Sequence, residues 1–86
     1  MDDHEFVALY RAEYGALCRV AFVIVGSKSE AEAIVQEAFA RAYPRRHKLG
    51  RYDKPGGWLY RVVVRLASRA RRQLGSRQIE SEPSSS

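Results

Sequence analysis

Apolar residues recur three or four positions apart in three separate stretches of the chain, which is the spacing of one face of an α-helix. The first face consists of Phe6, Leu9, Tyr10, Tyr14, Leu17, Ala21 and Ile24. Asp2 or Asp3 can cap the start of this helix, and Glu5 suits its first turn. Gly26 follows the last apolar position, as a C-cap does. The pattern predicts a helix over residues 3–25.

The second stretch has a narrow apolar face of small side chains. Its members are Ala31, Ile34, Val35, Ala38, Phe39 and Ala42. Ser29 with Glu32 forms the pattern of a capping box, and Ser27 with Glu30 is a weaker alternative. The proline two residues past the last alanine stops the helix, because the residue before a proline avoids the helical conformation. We therefore predict a helix over residues 29–43.

The third stretch follows a segment without periodicity. Residues 45–54 carry charges and a glycine, which predicts a loop. Asp53 can cap the next helix and Pro55 suits its first position, although the diglycine that follows weakens this turn. The apolar face is then Leu59, Val62, Val63, Leu66, Ala70 and Leu74. We predict a helix over residues 55–74, ended by Gly75.

These elements predict an all-α protein, a compact three-helix bundle within one domain over residues 1–76. The chain has 86 residues and 45% of them are hydrophobic, which is enough for one modest core. Residues 77–86 are rich in Ser and Glu and have little to bury. Such a composition predicts a disordered tail or a linker.

The sequence offers no recognisable chemistry for catalysis or for a cofactor. No Gly-rich phosphate loop, His-centred triad or carboxylate pair is visible, so we expect no enzyme. The single Cys18 lies on an apolar face and is interpreted as a small buried side chain, and no His is spaced to share a metal ion with it. The acidic start is unlike a signal peptide and the apolar run 20–25 is too short to span a membrane, which predicts a cytoplasmic protein.

Charge is divided unevenly along the chain. Residues 1–40 hold seven acidic and three basic residues, whereas residues 41–77 hold twelve basic residues and one acidic residue, Asp53. A segment this basic favours a polyanion as partner, because each neutralised phosphate releases counterions. The acidic half suits a basic protein surface instead. The two halves therefore predict two partners of opposite charge.

Arginines and aromatic rings coincide in the third helix and the loop before it. Arg61, Arg65, Arg69 and Arg72 recur at a spacing that places them along one side of the helix. Three aromatic residues lie near these arginines in sequence, namely Tyr52, Trp58 and Tyr60. Each ring could stack on an unpaired base. The alternative interpretation is part of the core for Trp58 and plain surface for the two tyrosines. Rings beside basic side chains favour single-stranded or melting DNA over an intact duplex, which offers no free base faces.

Two motifs carry a family resemblance. The run from Ser29 to Ala42, SEAEAIVQEAFARA, resembles the A-E-D-[LIV]-V-Q-E-[TA]-F segment in region 2 of extracytoplasmic-function sigma factors. The run from Trp58 to Val64, WLYRVVV, resembles the W-L-[YR]-R-[IV] helix of the same family. Together with the first helix, the resemblance covers about residues 5–74 and implies a sigma-70 region 2 fold.

The resemblance also implies partners and site residues. The second helix would dock on the clamp helices of the largest subunit of core RNA polymerase through Glu32, Gln36, Glu37 and Arg41. The loop from Arg46 to Pro55 would read a flipped base of the promoter −10 element, and the third helix would hold the strands, with a preference for the single-stranded non-template strand. The candidate DNA-binding residues are Arg46, Lys48, Arg51, Tyr52, Lys54, Trp58, Tyr60, Arg61, Arg65, Arg69 and Arg72. An anti-sigma factor is a further expected partner.

Two positions depart from the family pattern. Ala33 stands where the family usually has Asp, which removes one expected polymerase contact. Arg65 stands where many members have Asn, which changes the expected chemistry from base reading to phosphate binding. A second domain for the −35 element does not follow in this sequence. We expect this either of a short gene product or of a piece of a longer protein that ends in the linker between the two domains.

Two other functions are consistent with three helices. One is a protein-interaction domain that binds a polymerase or regulatory partner without reading DNA. The other is a domain that reads duplex DNA in the major groove, which would need polar side chains at the start of its recognition helix. The third helix starts with Gly-Gly-Trp-Leu-Tyr, which argues against major-groove reading.

Overall fold

The computed structural model describes the backbone of residues 1–81 and the side chains of residues 1–74. Three long helices, α1 (Asp3–Val25), α2 (Lys28–Ala42) and α4 (Pro55–Ser81), pack against one another. A single 3₁₀ turn (Tyr43–Arg45) and a one-turn helix, α3 (Arg46–Leu49), connect α2 to α4. The described residues contain no strand, and the predicted all-α three-helix architecture is confirmed.

The helix ends follow the polar pattern of the sequence, with one exception. The Asp2 carboxylate accepts a hydrogen bond of 2.8 Å from the Glu5 amide, and the Glu5 carboxylate accepts one of 3.2 Å from the Asp2 amide, which completes a capping box. Gly26 ends α1 with φ 73°, a left-handed conformation that glycine adopts without steric cost. The N-cap of α2 is Ser27, whose hydroxyl accepts from the Glu30 amide at 3.3 Å. The prediction of Ser29 as this cap is wrong.

The core receives its largest share from α2, and each of the three long helices packs against the other two. All six apolar positions predicted for α2 are buried, namely Ala31, Ile34, Val35, Ala38, Phe39 and Ala42. Its alanines let the neighbouring backbones approach closely. From α1 the core receives Leu17 and Ala21, and from α4 it receives Leu59, Val62, Val63 and Ala67. Cys18 packs against this core but is only partly buried, which corrects its interpretation as a buried side chain.

The connection between α2 and α4 is more ordered than the sequence predicted. The loop expected over residues 45–54 instead contains α3, and Leu49 at the end of α3 is 1% exposed. Burial of this one leucine anchors the basic segment to the core. The predicted end of the last helix at Gly75 is also wrong, because α4 continues to Ser81.

The predicted tail covers residues 77–86, of which residues 82–86 lie outside the part that the structure describes. The division between a domain of residues 1–76 and a tail stays a prediction. In the described part of the chain, no helix combines the length and the apolar character needed to cross a membrane.

Candidate nucleic-acid interface

The arginines of α4 lie along one side of the helix and point to solvent. Arg61, Arg65, Arg69 and Arg72 are exposed, whereas the residues between them supply the buried face. Trp58 precedes Arg61 by three residues, so the indole lies on the same side of the helix as these guanidinium groups. The stripe predicted from the sequence is therefore continuous with an aromatic ring.

Part of this stripe forms one wall of a cleft of about 440 Å³. Its lining residues are Arg41, Arg45, Trp58, Arg61, Val62 and Arg65. The four guanidinium groups come from α2, the 3₁₀ turn and α4, so the fold gathers residues that are distant in sequence. Among the described side chains, the ion pair within this set is that of Arg41, whose Nε lies 3.6 Å from a Glu37 carboxylate oxygen. The cleft therefore presents an excess of positive charge around an indole ring.

Two of these cleft residues were not predicted to face DNA. Arg45 was not selected from the sequence, and Arg41 was assigned to the polymerase-binding set. Arg45 stands beside Arg46 in a run of basic residues, and the sequence gives no signal that distinguishes their directions. Arg41 faces the cleft because it lies at the end of α2, where this helix approaches the start of α4.

The aromatic rings divide between the core and the surface. Trp58 is partly buried, packs against the core and also lines the cleft, so both interpretations of this residue fit its position. Tyr52 is 40% exposed and Tyr60 is 51% exposed. Tyr60 is turned by about 100° around α4 from Arg61, so it is not on the wall of the cleft. The assignment of Tyr60 to DNA binding stays a prediction.

Arg46 makes its contacts inside the domain. Its Nε lies 3.1 Å from an Asp3 carboxylate oxygen, without the geometry of a hydrogen bond. Another guanidinium nitrogen donates to the Tyr43 carbonyl at 3.0 Å, and the guanidinium carbon lies 4.2 Å from the centre of the Tyr43 ring. The Tyr43 hydroxyl donates to the same Asp3 carboxylate at 3.0 Å. This cluster, defined by Asp3, Tyr43 and Arg46, ties the start of α1 to the turn after α2.

The remaining predicted DNA-binding residues lie on the surface of the segment between α2 and α4. Lys48, Arg51 and Lys54 are exposed, and so is Tyr52, and all four lie within five residues of the buried Leu49 in the chain. They do not line the cleft, although they precede α4 directly. The structure thus separates the predicted set into cleft residues, residues of an adjacent exposed segment, and Arg46, which pairs inside the domain. Tyr60, Arg69 and Arg72 lie on α4 outside the cleft.

The predicted polymerase-binding residues all lie on the exposed face of α2, but they have different surroundings. The Gln36 amide nitrogen lies 3.2 Å from the Tyr10 hydroxyl and 3.5 Å from the Tyr14 hydroxyl, both on α1. Removal of the Tyr14 ring from water raises the pKa of its phenol, which the Gln36 hydrogen bond partly offsets. Glu32 also lies on the side that faces α1, whereas Glu37 and Arg41 lie toward α4.

Arg69 occupies a second groove, between α2 and α4, that has mixed charge. Arg41, Glu30 and Glu37 line the same groove, over a floor that includes Ile34 and Leu66. The two carboxylates lower the local positive potential, so this part of the arginine stripe suits a protein surface better than a phosphate backbone. Among the side chains of residues 1–74, no group of three or more His, Cys, Asp or Glu is placed to hold a metal ion.

Comparison with known families places this geometry in context. The family model described as Sigma-70 region 2 matches residues 9–77. Neither the comparison with curated proteins nor that with solved structures gave a match. The helical fold, the basic cleft and this match together define a sigma-factor domain, a class of transcription protein without enzymatic activity that recognises promoters and binds RNA polymerase. The chain belongs to the Sigma-70 region 2 family.

Proposed function

We propose that this chain is the promoter-reading domain of an extracytoplasmic-function sigma factor, which acts in the cytoplasm. It docks on core RNA polymerase and recognises and melts the −10 element of the promoter. The observation that carries this proposal is the cleft in which Arg41, Arg45, Arg61 and Arg65 surround Trp58. The family match supports the general role, and the cleft supports the finer assignment.

The chemistry of the cleft favours single-stranded DNA. Guanidinium groups bind phosphates with paired hydrogen bonds, and an indole stacks on an unpaired base at about 1–3 kcal/mol per base. In a duplex, the bases are already stacked on each other, so Trp58 gains a base contact only after the strands separate. Binding at the cleft therefore favours the melted −10 element, and in particular its non-template strand.

The segment before α4 extends this surface. Lys48, Arg51, Tyr52 and Lys54 are exposed around the anchor of Leu49, where they can contact a flipped base and its flanking phosphates. Arg46 is assigned a different role from the one first expected. Its charge is already neutralised by Asp3, so it supports the fold of this segment and does not contact DNA.

The exposed face of α2 is the proposed docking surface for the polymerase. Glu32, Gln36 and Glu37 give this face an acidic character that complements basic clamp helices of the largest subunit. Arg41 lies where the docking surface and the cleft meet, paired with Glu37 on one side and facing Trp58 on the other. The same face is available to an anti-sigma factor, which would then compete with the polymerase.

A binding comparison tests the DNA assignment. A labelled pool of single-stranded oligonucleotides and the same pool annealed to its complement are titrated with the domain bound to core polymerase, at one salt concentration. We expect tighter binding to the single strands, and a loss of about tenfold in the Trp58→Ala variant from the lost stacking. Circular dichroism of the variant establishes that it is folded. Equal affinity for both DNA forms contradicts the proposal.

The alternative is a protein-interaction domain that binds a polymerase or regulatory partner without reading DNA. The mixed-charge groove around Arg69 favours a protein partner on that side of α2. Pull-down with polymerase clamp helices tests docking through α2, using Glu37→Lys and, as a control with the same charge change, Asp53→Lys, and the binding of single-stranded DNA separates the two functions. Docking through α2 predicts loss of binding in Glu37→Lys alone. A domain that retains clamp binding but never binds single-stranded DNA supports the alternative.

A further inference from the structure

An apolar groove runs between the end of α1 and the start of α2, away from the arginine cleft. It has a volume of about 460 Å³. Its lining residues are Cys18, Arg19, Phe22, Val23, Lys28, Ala31 and Glu32. The proposed contact with DNA does not use this groove, and the proposed docking face shares only Glu32 with it. The apolar surface of the groove therefore needs a separate explanation.

The apolar side chains at the groove are unusually open to water. Phe22 is 48% exposed and Val23 is 82% exposed, although both lie in the last turns of a helix that buries its other face. Adjacent large apolar side chains beside a groove typically mark a protein-binding site, because water contact with them is unfavourable. The groove therefore has the properties of a surface that a partner covers.

The charges around the groove restrict the chemistry of that partner. Residues 1–40 contain only three basic residues, and two of them, Arg19 on α1 and Lys28 on α2, line this groove. They stand in a half of the chain that is otherwise acidic. Glu32 is the single carboxylate at the groove, one helical turn after Lys28. A partner with apolar side chains flanked by carboxylates would match both the floor and the two cations.

We propose that this groove binds an amphipathic helix of a partner protein, with apolar anchors in the groove and acidic residues facing Arg19 and Lys28. A groove between two helices accommodates apolar side chains at helical spacing, as in other helix-in-groove complexes. The opposite charge on its flanks fixes the direction and the choice of the partner.

The position of the groove gives the partner a defined relation to the other surfaces. Lys28 and Arg41 lie thirteen residues apart on α2, a distance of about 20 Å along the helix. The partner therefore leaves the cleft around Trp58 accessible, but it adjoins Glu32 at the edge of the proposed polymerase surface. It is thus a helix that sits beside the docking face and does not block DNA.

Two synthetic helical peptides test the proposal with the intact chain. Both carry leucines at positions i, i+3, i+4 and i+7, and they differ only in their flanking residues, which are glutamates in one and lysines in the other. Binding is measured by fluorescence anisotropy of the labelled peptide. The reaction rate of Cys18, the only cysteine of the chain, with a thiol reagent reports occupation of the groove.

We expect the glutamate peptide to bind and to slow the reaction of Cys18, and the lysine peptide to bind at least about tenfold more weakly. Val23→Glu and the double variant Arg19→Glu, Lys28→Glu should each weaken the glutamate peptide by about tenfold or more. Val7→Glu is the matched control, since Val7 is also exposed on α1, at 46%, and lies outside the groove. It should bind like the parent.

Three results would overturn the proposal. One is equal binding of the two peptides, and another is unchanged binding in the Val23→Glu variant. The third is self-association of the parent chain in sedimentation that Val23→Glu abolishes, because the groove would then be covered by a second copy. No DNA or polymerase enters these measurements, so their outcome is independent of the proposed promoter function.

Discussion

The side-chain amide of Gln36 donates a hydrogen bond to the hydroxyl of Tyr10, with 3.2 Å between nitrogen and oxygen. The bond joins α2 to α1 at the edge of the core, where the Tyr10 ring also lies 4.8 Å from the Phe39 ring, centre to centre. Gln36 therefore contributes to the packing of the two helices as well as to the exposed face of α2. A loss of polymerase binding in a Gln36 variant has two possible causes, and the structure provides a way to separate them.

Replacement of Gln36 should affect stability and docking separately. Gln36→Ala is expected to lower the free energy of unfolding by about 0.5–1.5 kcal/mol, the usual contribution of one hydrogen bond. Tyr10→Phe removes the shorter of the two bonds that Gln36 donates, 3.2 Å to Tyr10 against 3.5 Å to Tyr14, and should cost most of this amount, measured by urea denaturation. Only Gln36→Ala should weaken polymerase binding. Equal docking losses in both variants would show that Gln36 acts through the helix packing alone.

The cleft arginines should determine how DNA affinity depends on salt. For single strands, each lost phosphate contact lowers the slope of log K against log salt by about 0.7. We expect this change in Arg61→Ala, Arg65→Ala and Arg45→Ala, measured by oligonucleotide titration at several salt concentrations. Arg71→Ala serves as the control, because Arg71 is exposed on α4 but turned by about 120° from Arg65. A slope change in the control equal to that in the cleft variants would assign the effect to net charge.

Arg46 should act on stability and not on DNA binding. Arg46→Ala removes the ion pair with Asp3 and the stacking on Tyr43, and we expect a loss of about 1 kcal/mol in the free energy of unfolding. The side chain of Asp3 is 70% exposed, which keeps the contribution of the pair small. The salt slope of DNA binding should match that of the parent. A slope lowered as in Arg61→Ala would return Arg46 to the DNA interface.

The two serines before α2 make a matched pair for a capping test. Ser27→Ala should destabilise the domain by about 1 kcal/mol, because it removes the acceptor for the Glu30 amide. Ser29→Ala, two residues later inside the helix, should change the midpoint of thermal unfolding much less. The reverse order of the two effects would mean that the helix begins at Ser29 in solution.

Tyr14 should make the stability of the domain sensitive to alkaline pH. Its pKa lies above the ordinary value of 10.0 in the folded chain because the ring is partly removed from water. As pH rises, the Tyr14 hydroxyl therefore keeps its proton in the folded state at a pH where the unfolded state has lost it. The contribution of Tyr14 to stability is present below about pH 10 and is lost as pH rises through the pKa of the folded state. The difference in free energy of unfolding between the parent and Tyr14→Phe should decrease above about pH 10. Tyr60→Phe, which removes an exposed hydroxyl on α4, controls for general alkaline loss.

The helical architecture was predictable because it depends on spacing that the sequence displays directly. The six apolar positions of α2 recur three or four residues apart, and all six are buried. The ends of α1 could also be predicted from the sequence. Asp2 has a carboxylate that can accept a hydrogen bond from a helix N-terminus, and Gly26 can adopt the left-handed conformation that ends a helix. Where local chemistry and the apolar pattern agree, no tertiary information is needed.

The structure differs from the sequence-based expectations where a tertiary contact decides between equivalent local choices. Arg45 and Arg46 are identical neighbours, and only the distant Asp3 determines that Arg46 turns inward while Arg45 lines the cleft. Leu49 is a lone apolar residue in a basic segment, so no periodicity signals its burial. Ser27 and Ser29 both suit an N-cap, and the observed start follows from the way Gly26 reverses the chain.

The burial of Leu49 has an electrostatic consequence for the segment around it. Lys48 and Arg51 are exposed on either side of Leu49 in the chain, and the leucine anchor limits how far they can move apart to relieve their mutual repulsion. The unliganded protein thus maintains a local concentration of like charge that hydrophobic burial sustains. A bound polyanion removes that repulsion. Any multivalent phosphate, whether or not it is a nucleic acid, should therefore raise the midpoint of thermal unfolding. A Leu49→Ala variant should bind the polyanion with a larger loss of conformational entropy.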